Sequence, residues 1–338
     1  MSLHSFPALL LERANADGAA PDAHIRELHV DELPEHDTLV RIRYSGINYK
    51  DALAVTGRGP IVRSYPMVPG IDFSGVVVET SHPSLHAGDD VILTGWGVGE
   101  RYWGGYSGYQ RVKGDWLVPI PASLGHRDAM VLGTAGLTSM LCVMAIQDAG
   151  VRSGRVLVTG ASGGVGSIAI ALLADRGYEV VCLSRDADAN RADLQALGAS
   201  EVIGGPEWGQ APPPLANQRW DAVVDVVGGA VLARALAHTQ YGGAAAVCGL
   251  AGSAELNTSV MPFILRGVRM LGVDSVMCPK ERRVVAWSEL AATFPFAKYQ
   301  SLVRTIGLEQ VPERCRLLAD GASRGRVVVQ IAGEGEAS

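Results

Sequence analysis

Residues Arg155 to Arg185 read RVLVTGASGGVGSIAIALLADRGYEVVCLSR, and this stretch decides the fold. An apolar run ends at Thr159, a glycine loop follows, an apolar helix begins near Val165, and a second apolar run closes at Leu183. Gly160 permits a tight turn, Gly163 and Gly164 let the backbone approach a pyrophosphate, and Gly166 lets the helix pack close to the sheet. With Ser162 and Val165, these residues would turn free N–H groups and the positive end of a helix toward phosphate oxygens. The bland alternative is an ordinary strand-to-helix turn; the second strand about twenty residues on favours dinucleotide binding. At the end of that strand an NAD enzyme usually places a carboxylate on the ribose. Here Ser184 and Arg185 stand instead, a hydroxyl and a planar guanidinium that suit a 2′-phosphate, so NADPH is the expected cofactor. In the competing reading Arg185 is solvated and Asp186 or Asp188 takes the ribose. The loop also fits the TGxxxGxG of short-chain dehydrogenases, but it lies about 160 residues into the chain, and Tyr178, Tyr241 and Tyr299 lack a lysine four residues later.

Downstream, apolar strands at Ala222–Val226, Ala244–Cys248 and Val268–Val273 alternate with helices, the pattern of a doubly wound parallel sheet covered on both faces. Upstream, short strands separated by Gly and Pro (Leu39–Tyr44, Gly75–Glu79, Asp90–Leu93, Gln110–Val112 running into Trp116–Val118) predict a β-rich module. After residue 277, helices at Glu281–Ala292 and Val311–Asp320 and a strand at Arg326–Ile331 predict a return to that module. The closing GEGEAS reads as frayed.

The 338 residues are enough for two domains with their own cores. With 29 Lys+Arg against 35 Asp+Glu, the net charge of -6 offers no footprint for nucleic acid. Apolar residues at 48% and charged ones at 19% exclude bulk disorder. The stretch Ala129–Ile146 carries no charge over eighteen residues, but Gly133, Thr134, Gly136, Thr138 and Ser139 dilute it and acids flank it. It reads as a buried helix and not a membrane span. Five scattered cysteines and an N-terminus without a basic n-region suit reduced thiols in the cytoplasm.

Beyond the glycine loop, SGINYKDALAVTGRGP (Ser45–Pro60), PMVPGIDFSG (Pro66–Gly75), LTGWGVGE (Leu93–Glu100), WGGYS (Trp103–Ser107) and VKGDWLVPIP (Val112–Pro121) resemble the medium-chain dehydrogenase/reductase family. Within it they resemble the NADPH-dependent acrylyl-CoA reductase group. GTAGLTSMLCVMAIQDAGV, CGLAGS, MPFILRGVRMLGVDSV and GRVVVQI continue the match over nearly the whole chain. The resemblance implies an α/β protein: a GroES-like β-rich catalytic domain (1–126), an inserted Rossmann doubly wound parallel sheet that binds NADP (127–276), and a return to the catalytic domain (277–338). It implies reduction of acrylyl-CoA to propanoyl-CoA by a homodimer built on the VRMLGV strand. A quinone or enone reductase is the alternative, and a non-catalytic NADPH-binding protein is a different class. The resemblance carries Tyr49, Leu250, Ile264, Ser275 and Arg326 over as cofactor contacts beside the glycine loop, Ser184 and Arg185. One departure is Ser184-Arg185-Asp186, where the pattern has Ser-Gly-Arg.

Zinc members of the family place cysteine and Gly-His-Glu where this chain has Asn48-Tyr49-Lys50-Asp51 and Gly70-Ile71-Asp72, and no cysteine precedes Cys142. A zinc-free enzyme is expected. His82 and His86, with Pro83 between them, read as a loop. Hydride addition to an alkene activated by a thioester needs donors for the enolate oxygen and a proton for the α-carbon. Asn48 or backbone N–H groups could be the donors. Tyr49 could give the proton or lie against the nicotinamide, and Asp51 could orient Tyr49 or Lys50; the bland reading is a turn in which Asn48 and Asp51 cap a short helix. A CoA ester also needs a basic patch, for which Lys50, Arg58, Arg63, Arg101 and Lys113 are the candidates.

Overall fold

Strand β1 (Phe6–Glu12) pairs in antiparallel register with β2 (Asp22–Leu28), burying Leu9, Leu10 and Leu11. The structure, a computed structural model, describes residues 5–13 and 20–331; the GEGEAS tail lies outside them. After the hairpin come β3 (Thr38–Ile47), helix α1 (Tyr49–Thr56), β4 (Asp72–Thr80), β5 (Asp90–Thr94), β6 (Tyr109–Val112) and β7 (Val118–Pro119). In β3 and β4 consecutive residues are buried on both faces over much of their length, polar Ser45, Asp72 and Ser74 included. Helix α1 ends where Gly57 takes a left-handed conformation (φ 68°), the usual glycine stop.

Helix α2 (His126–Asp148) contains the predicted apolar stretch and is kinked at Gly133 (φ 50°, ψ −148°). It is long and apolar enough to cross a membrane, yet 94% of its most apolar window is buried, as in the core helix of a globular protein.

The chain then winds through β8 (Arg155–Val158), α3 (Gly164–Asp175), β9 (Glu179–Leu183), α4 (Ala187–Ala196), β10 (Ala199–Ile203), β11 (Trp220–Asp225), α5 (Gly229–Ala237), β12 (Thr239–Val247), α6 (Met261–Arg266) and β13 (Arg269–Gly272). The six strands form one parallel sheet in the order β10-β9-β8-β11-β12-β13. The order reverses between β8 and β11, and such switch points are where open α/β sheets bind ligands. Strands β8, β9, β11 and β12 have cores of Val, Leu and Ala with essentially no exposure, as a sheet covered on both faces requires.

Helices α7 (Lys280–Thr293) and α8 (Phe296–Tyr299), strand β14 (Val303–Ile306), helix α9 (Val311–Ala319) and strand β15 (Arg326–Gln330) complete the chain. β15 pairs antiparallel with β3, so the last strand joins the first sheet, whose order is β14-β15-β3-β4-β5-β7 with β6 on β3. Two compact units result: 1–134, 276–291 and 302–338 form one, and 135–275 with 292–301 the other. The dividing line falls just past the Gly133 kink.

Candidate functional site

In the Rossmann unit, β8 delivers the chain to Thr159, whose Oγ1 donates to Asp225 Oδ1 (2.7 Å) and accepts from the Val226 N–H (3.1 Å). Asp225 also takes the Gly228 N–H (2.8 Å), so one buried carboxyl ties the glycine loop to the turn after β11. Burial pushes that carboxyl up from its ordinary range, while the Thr159 hydroxyl and the Gly228 N–H oppose the rise. Gly160 is left-handed (φ 57°), and a Cβ there would collide with Val226. A Cβ on Gly166 would strike the Gly160 carbonyl oxygen, so glycine is required for α3 to start this close to β8. Gly163 is the N-cap of α3, and Ser162, Gly163, Gly164 and Val165 all stay partly exposed. The glycine loop therefore leads into an accessible helix N-terminus, the feature a phosphate cradle requires.

Past β9, Arg185 is exposed. Ser184 is buried: its hydroxyl donates to the Asp186 carbonyl (3.1 Å) and accepts from Asn190 Nδ2 (2.9 Å). These contacts tie Ser184 to the start of α4. The acids of the competing reading are engaged as well. Asp186 caps α4 through the Ala189 N–H (3.1 Å), and Asp188 pairs with Arg191 (2.9 Å). Leu250 and Ile264 are 63% and 71% exposed, which suits a ligand-facing role better than a core one. Ser275 accepts a hydrogen bond from Thr138 Oγ1 (2.7 Å).

In the β-rich unit the predicted catalytic run sits at the junction of β3 and α1. Asp51 accepts the Asn48 N–H (2.9 Å) and the Ile71 N–H (2.9 Å), capping α1 and pinning the turn before β4. Asn48 Nδ2 donates to Asp51 Oδ2 (3.3 Å) and Asp72 Oδ2 (2.8 Å), and its Oδ1 accepts from Arg326 Nη1 (3.1 Å). Asp72 takes the N–H groups of Gly46 (2.9 Å) and Thr134 (2.8 Å). Arg326 donates to the carbonyls of Val131 (2.9 Å) and Ile47 (3.0 Å). All four side chains are buried. Desolvation first, and the neighbouring Asp72 charge second, raise Asp51 to about 7.

In this network Asn48 gives both amide hydrogens to carboxylates and, with Asp51, caps α1, as the turn reading has it, while Arg326, 2% exposed, donates to carbonyls and to Asn48. Asn48, Asp51 and Arg326 position the start of α1. Tyr49, 43% exposed at the first position of that helix, is the member of the run that can meet a ligand. Sequence reading passed over Asp72, Thr159 and Asp225; a lone acid inside an apolar strand, as in PGIDFSG and WDAVVDVV, was the available signal.

Three of the five basic candidates lie close together: Lys50 is paired with Glu100 (2.7 Å), the Arg63 N–H donates to the Glu100 carbonyl (2.9 Å), and Arg101 follows Glu100 in the chain. Arg58 is paired with Asp320 (2.5 Å), and Lys113 lies over the Trp116 ring (5.4 Å). Arg101 lines a separate small cavity with Tyr102 and Trp103. His82 bonds Asp115 (3.1 Å) from a loop. Among the described residues the one group of three potential metal ligands is Glu12, Asp22 and His24, well away from this network on the β1–β2 hairpin. The donors around Asn48 are tied to one another and do not fit zinc.

Two family models match: alcohol dehydrogenase GroES-like domain over residues 34–122 and zinc-binding dehydrogenase over 164–292. The probable acrylyl-CoA reductase AcuI of Escherichia coli (strain K12) is 49% identical over 326 residues, 96% of this chain and 99% of that protein. The chain is a medium-chain dehydrogenase/reductase. Family membership extends to solved structures: the yhdH oxidoreductase from Salmonella enterica in complex with NADP superposes with a TM-score of 0.94 at 47% identity, covering 97% of this chain and all of that one. The putative quinone oxidoreductase YhfP of Bacillus subtilis is 43% identical over 96% of this chain and 99% of its own length. The structure of that protein with NAD bound gives a TM-score of 0.92 at 41% identity, covering 97% and 99%. The expected architecture, a GroES-like module followed by a Rossmann unit, is the one observed.

Proposed function

We propose that this medium-chain reductase converts acrylyl-CoA to propanoyl-CoA at the expense of NADPH. The observation that carries the reading is the near-full-length identity to a relative named for that activity, joined to a glycine loop built for a dinucleotide. The cofactor would be held by the α3 N-terminus (Gly160, Ser162–Val165), by Arg185 at its 2′-phosphate, and by Leu250, Ile264 and Ser275; bound there it supplies the hydride. Because the thioester carbonyl already withdraws electrons from the alkene, hydride added to the β-carbon leaves charge on the carbonyl oxygen, and one proton at the α-carbon completes the reduction. No metal ion is needed for that polarisation, in keeping with a donor set that does not fit zinc. Tyr49 presents its hydroxyl at the head of α1 and is the residue assigned to serve the α-carbon. Asp51, Asn48, Asp72 and Arg326 hold that helix start in place.

A second reading, reduction of quinones or enones, is favoured by the likeness to the putative quinone oxidoreductase. Following NADPH consumption with acrylyl-CoA, crotonyl-CoA and a benzoquinone, and repeating each with NADH, separates the two. Turnover of acrylyl-CoA with NADPH is the expected result; reaction with the quinone alone would move the assignment to the second reading. Binding of NADPH without turnover of any acceptor would leave a binding protein. The five unpaired cysteines support a reducing, cytoplasmic setting. The exposed edge strand β13 supports a homodimer.

A further inference from the structure

The return segment of the β-rich unit carries at its surface a second basic feature that no part of the reaction scheme uses. A cavity of about 330 Å³ is lined by Arg304 from β14, Arg314 and Leu317 from α9, Ser323 and Arg324 from the turn after α9, and Val327 from β15. Three arginines line it, the exposed Arg304 and Arg324 and the half-buried Arg314, and no carboxylate residue does, in a chain whose net charge is -6. Among the described residues the side chains of Arg304 and Arg314 make no hydrogen bond or ion pair, and the Nε of Arg314 is buried without an acceptor. The acid at the end of α9, Asp320, is taken by Arg58 (2.5 Å). A buried donor without an acceptor is unfavourable, and an anion seated against Arg314, with Arg304 beside it, would supply that acceptor. Arginine forks match the oxygens of a phosphate ester, and the volume admits such a group together with the sugar that bears it.

The position fits the substrate. Val327 pairs with Ile47, the residue before Asn48, and the preceding Arg326 holds the Asn48 amide, so cavity and catalytic run share β15. Helix α9 packs against α1, whose first residue is Tyr49.

We propose that the Arg304–Arg314–Arg324 cavity is a phosphate site that receives the nucleotide end of a CoA thioester. This rests on the acyl-CoA reading above. Free inorganic phosphate offers the same chemistry, so the test separates them. Adenosine 3′,5′-bisphosphate, the nucleotide end of CoA without its arm, is titrated calorimetrically into the full-length protein, its Arg304→Gln/Arg314→Gln variant, and a Ser323→Asp variant that adds negative charge without removing packing atoms. Inorganic phosphate is titrated in parallel, and KM is measured for acrylyl-CoA, for acrylyl-pantetheine and for NADPH. The expected result is binding of the bisphosphate by the wild type, weakened at least tenfold in both variants. KM for acrylyl-CoA should rise at least tenfold, with KM for acrylyl-pantetheine and NADPH unmoved. Unchanged bisphosphate binding and KM in both variants would overturn the site. Binding of inorganic phosphate with no effect on KM for acrylyl-CoA would overturn its assignment to CoA. Bisphosphate binding that depends on Arg304 and Arg314, in an enzyme that fails to reduce acrylyl-CoA, would uphold the phosphate site while the reductase reading falls.

Discussion

Asp51 shows how one residue serves structure and leaves a trace in solution. Its carboxyl caps α1 in a fully desolvated setting beside a second carboxylate, and its value rises to about 7. The unfolded chain releases this proton near pH 4 and the folded protein keeps it until about pH 7, so the folded state binds more protons across that window. Stability from this group is therefore greatest at the acid end and declines as pH rises through the window, by at most about 4 kcal/mol. Thermal melts of wild type and Asp51→Asn at several pH values should show the wild type losing ground to the variant between about pH 5 and 7; parallel curves would refute the assignment. Arg185 is tested by a different readout. Replacing it with Gln should raise KM for NADPH by about 10- to 100-fold, the worth of one charge-assisted phosphate contact, and leave KM for NADH in place. An equal change with both cofactors would mean that Arg185 does not meet the 2′-phosphate.

At the level of elements, the kink in α2 is what makes the buried network possible. A Cβ on Gly133 would lie 2.7 Å from Asp72 Oδ2 and 2.9 Å from Arg326 Nη2, and the residue has φ of 50°. Gly150, just past the same helix, also has positive φ (91°) but open space around it. Gly150→Ala should cost only the left-handed strain, about 1 kcal/mol in denaturant unfolding. Gly133→Ala should cost roughly 2–3 kcal/mol more, because its φ of 50° with ψ of −148° is open essentially to glycine alone and charged partners must also move. Equal costs would show that the network yields freely. The contrast also marks what a sequence discloses. The glycine loop, β9 and the parallel sheet were readable because their rules are local: a period, a turn, a helix start. The β1–β2 hairpin was missed because β2 reads DAHIREL, mostly polar and exposed, and β14 because VRTI is short and half-exposed. Asn48 and Arg326 are separated by 278 residues, and an arginine opening an apolar strand looks like surface until β15 is paired with β3. No local pattern encodes that meeting, whereas the cap that Asn48 and Asp51 put on α1 is local and was readable as a turn.

For the molecule as a whole, the edge of the Rossmann sheet decides how copies meet. In the Rossmann sheet β13 pairs only with β12, and its outer edge carries unsatisfied backbone groups beside Met270, which is 48% exposed. On the neighbouring α6 and its lead-in, Val260, Ile264 and Leu265 are 66%, 71% and 53% exposed. Proteins shield edge strands with charge, proline, bulges or a covering element, and Arg269 alone is weak protection because its Nη2 is drawn to the Gly242 carbonyl (2.7 Å). Part of this apolar surface belongs to the expected cofactor contacts, but Met270 lies on the strand edge itself. The matching edge of a second copy would satisfy the backbone and cover the side chain in one step, through the self-complementary interface that a twofold axis produces. Sedimentation equilibrium should therefore give about twice the 35.6 kDa chain mass. Met270→Lys, which places a charge where the two edges would meet, should shift the population toward monomer while NADPH binding persists. A wild type that sediments as a monomer would show instead that the edge is tolerated bare, and the exposed residues of α6 would then be assigned to the cofactor alone.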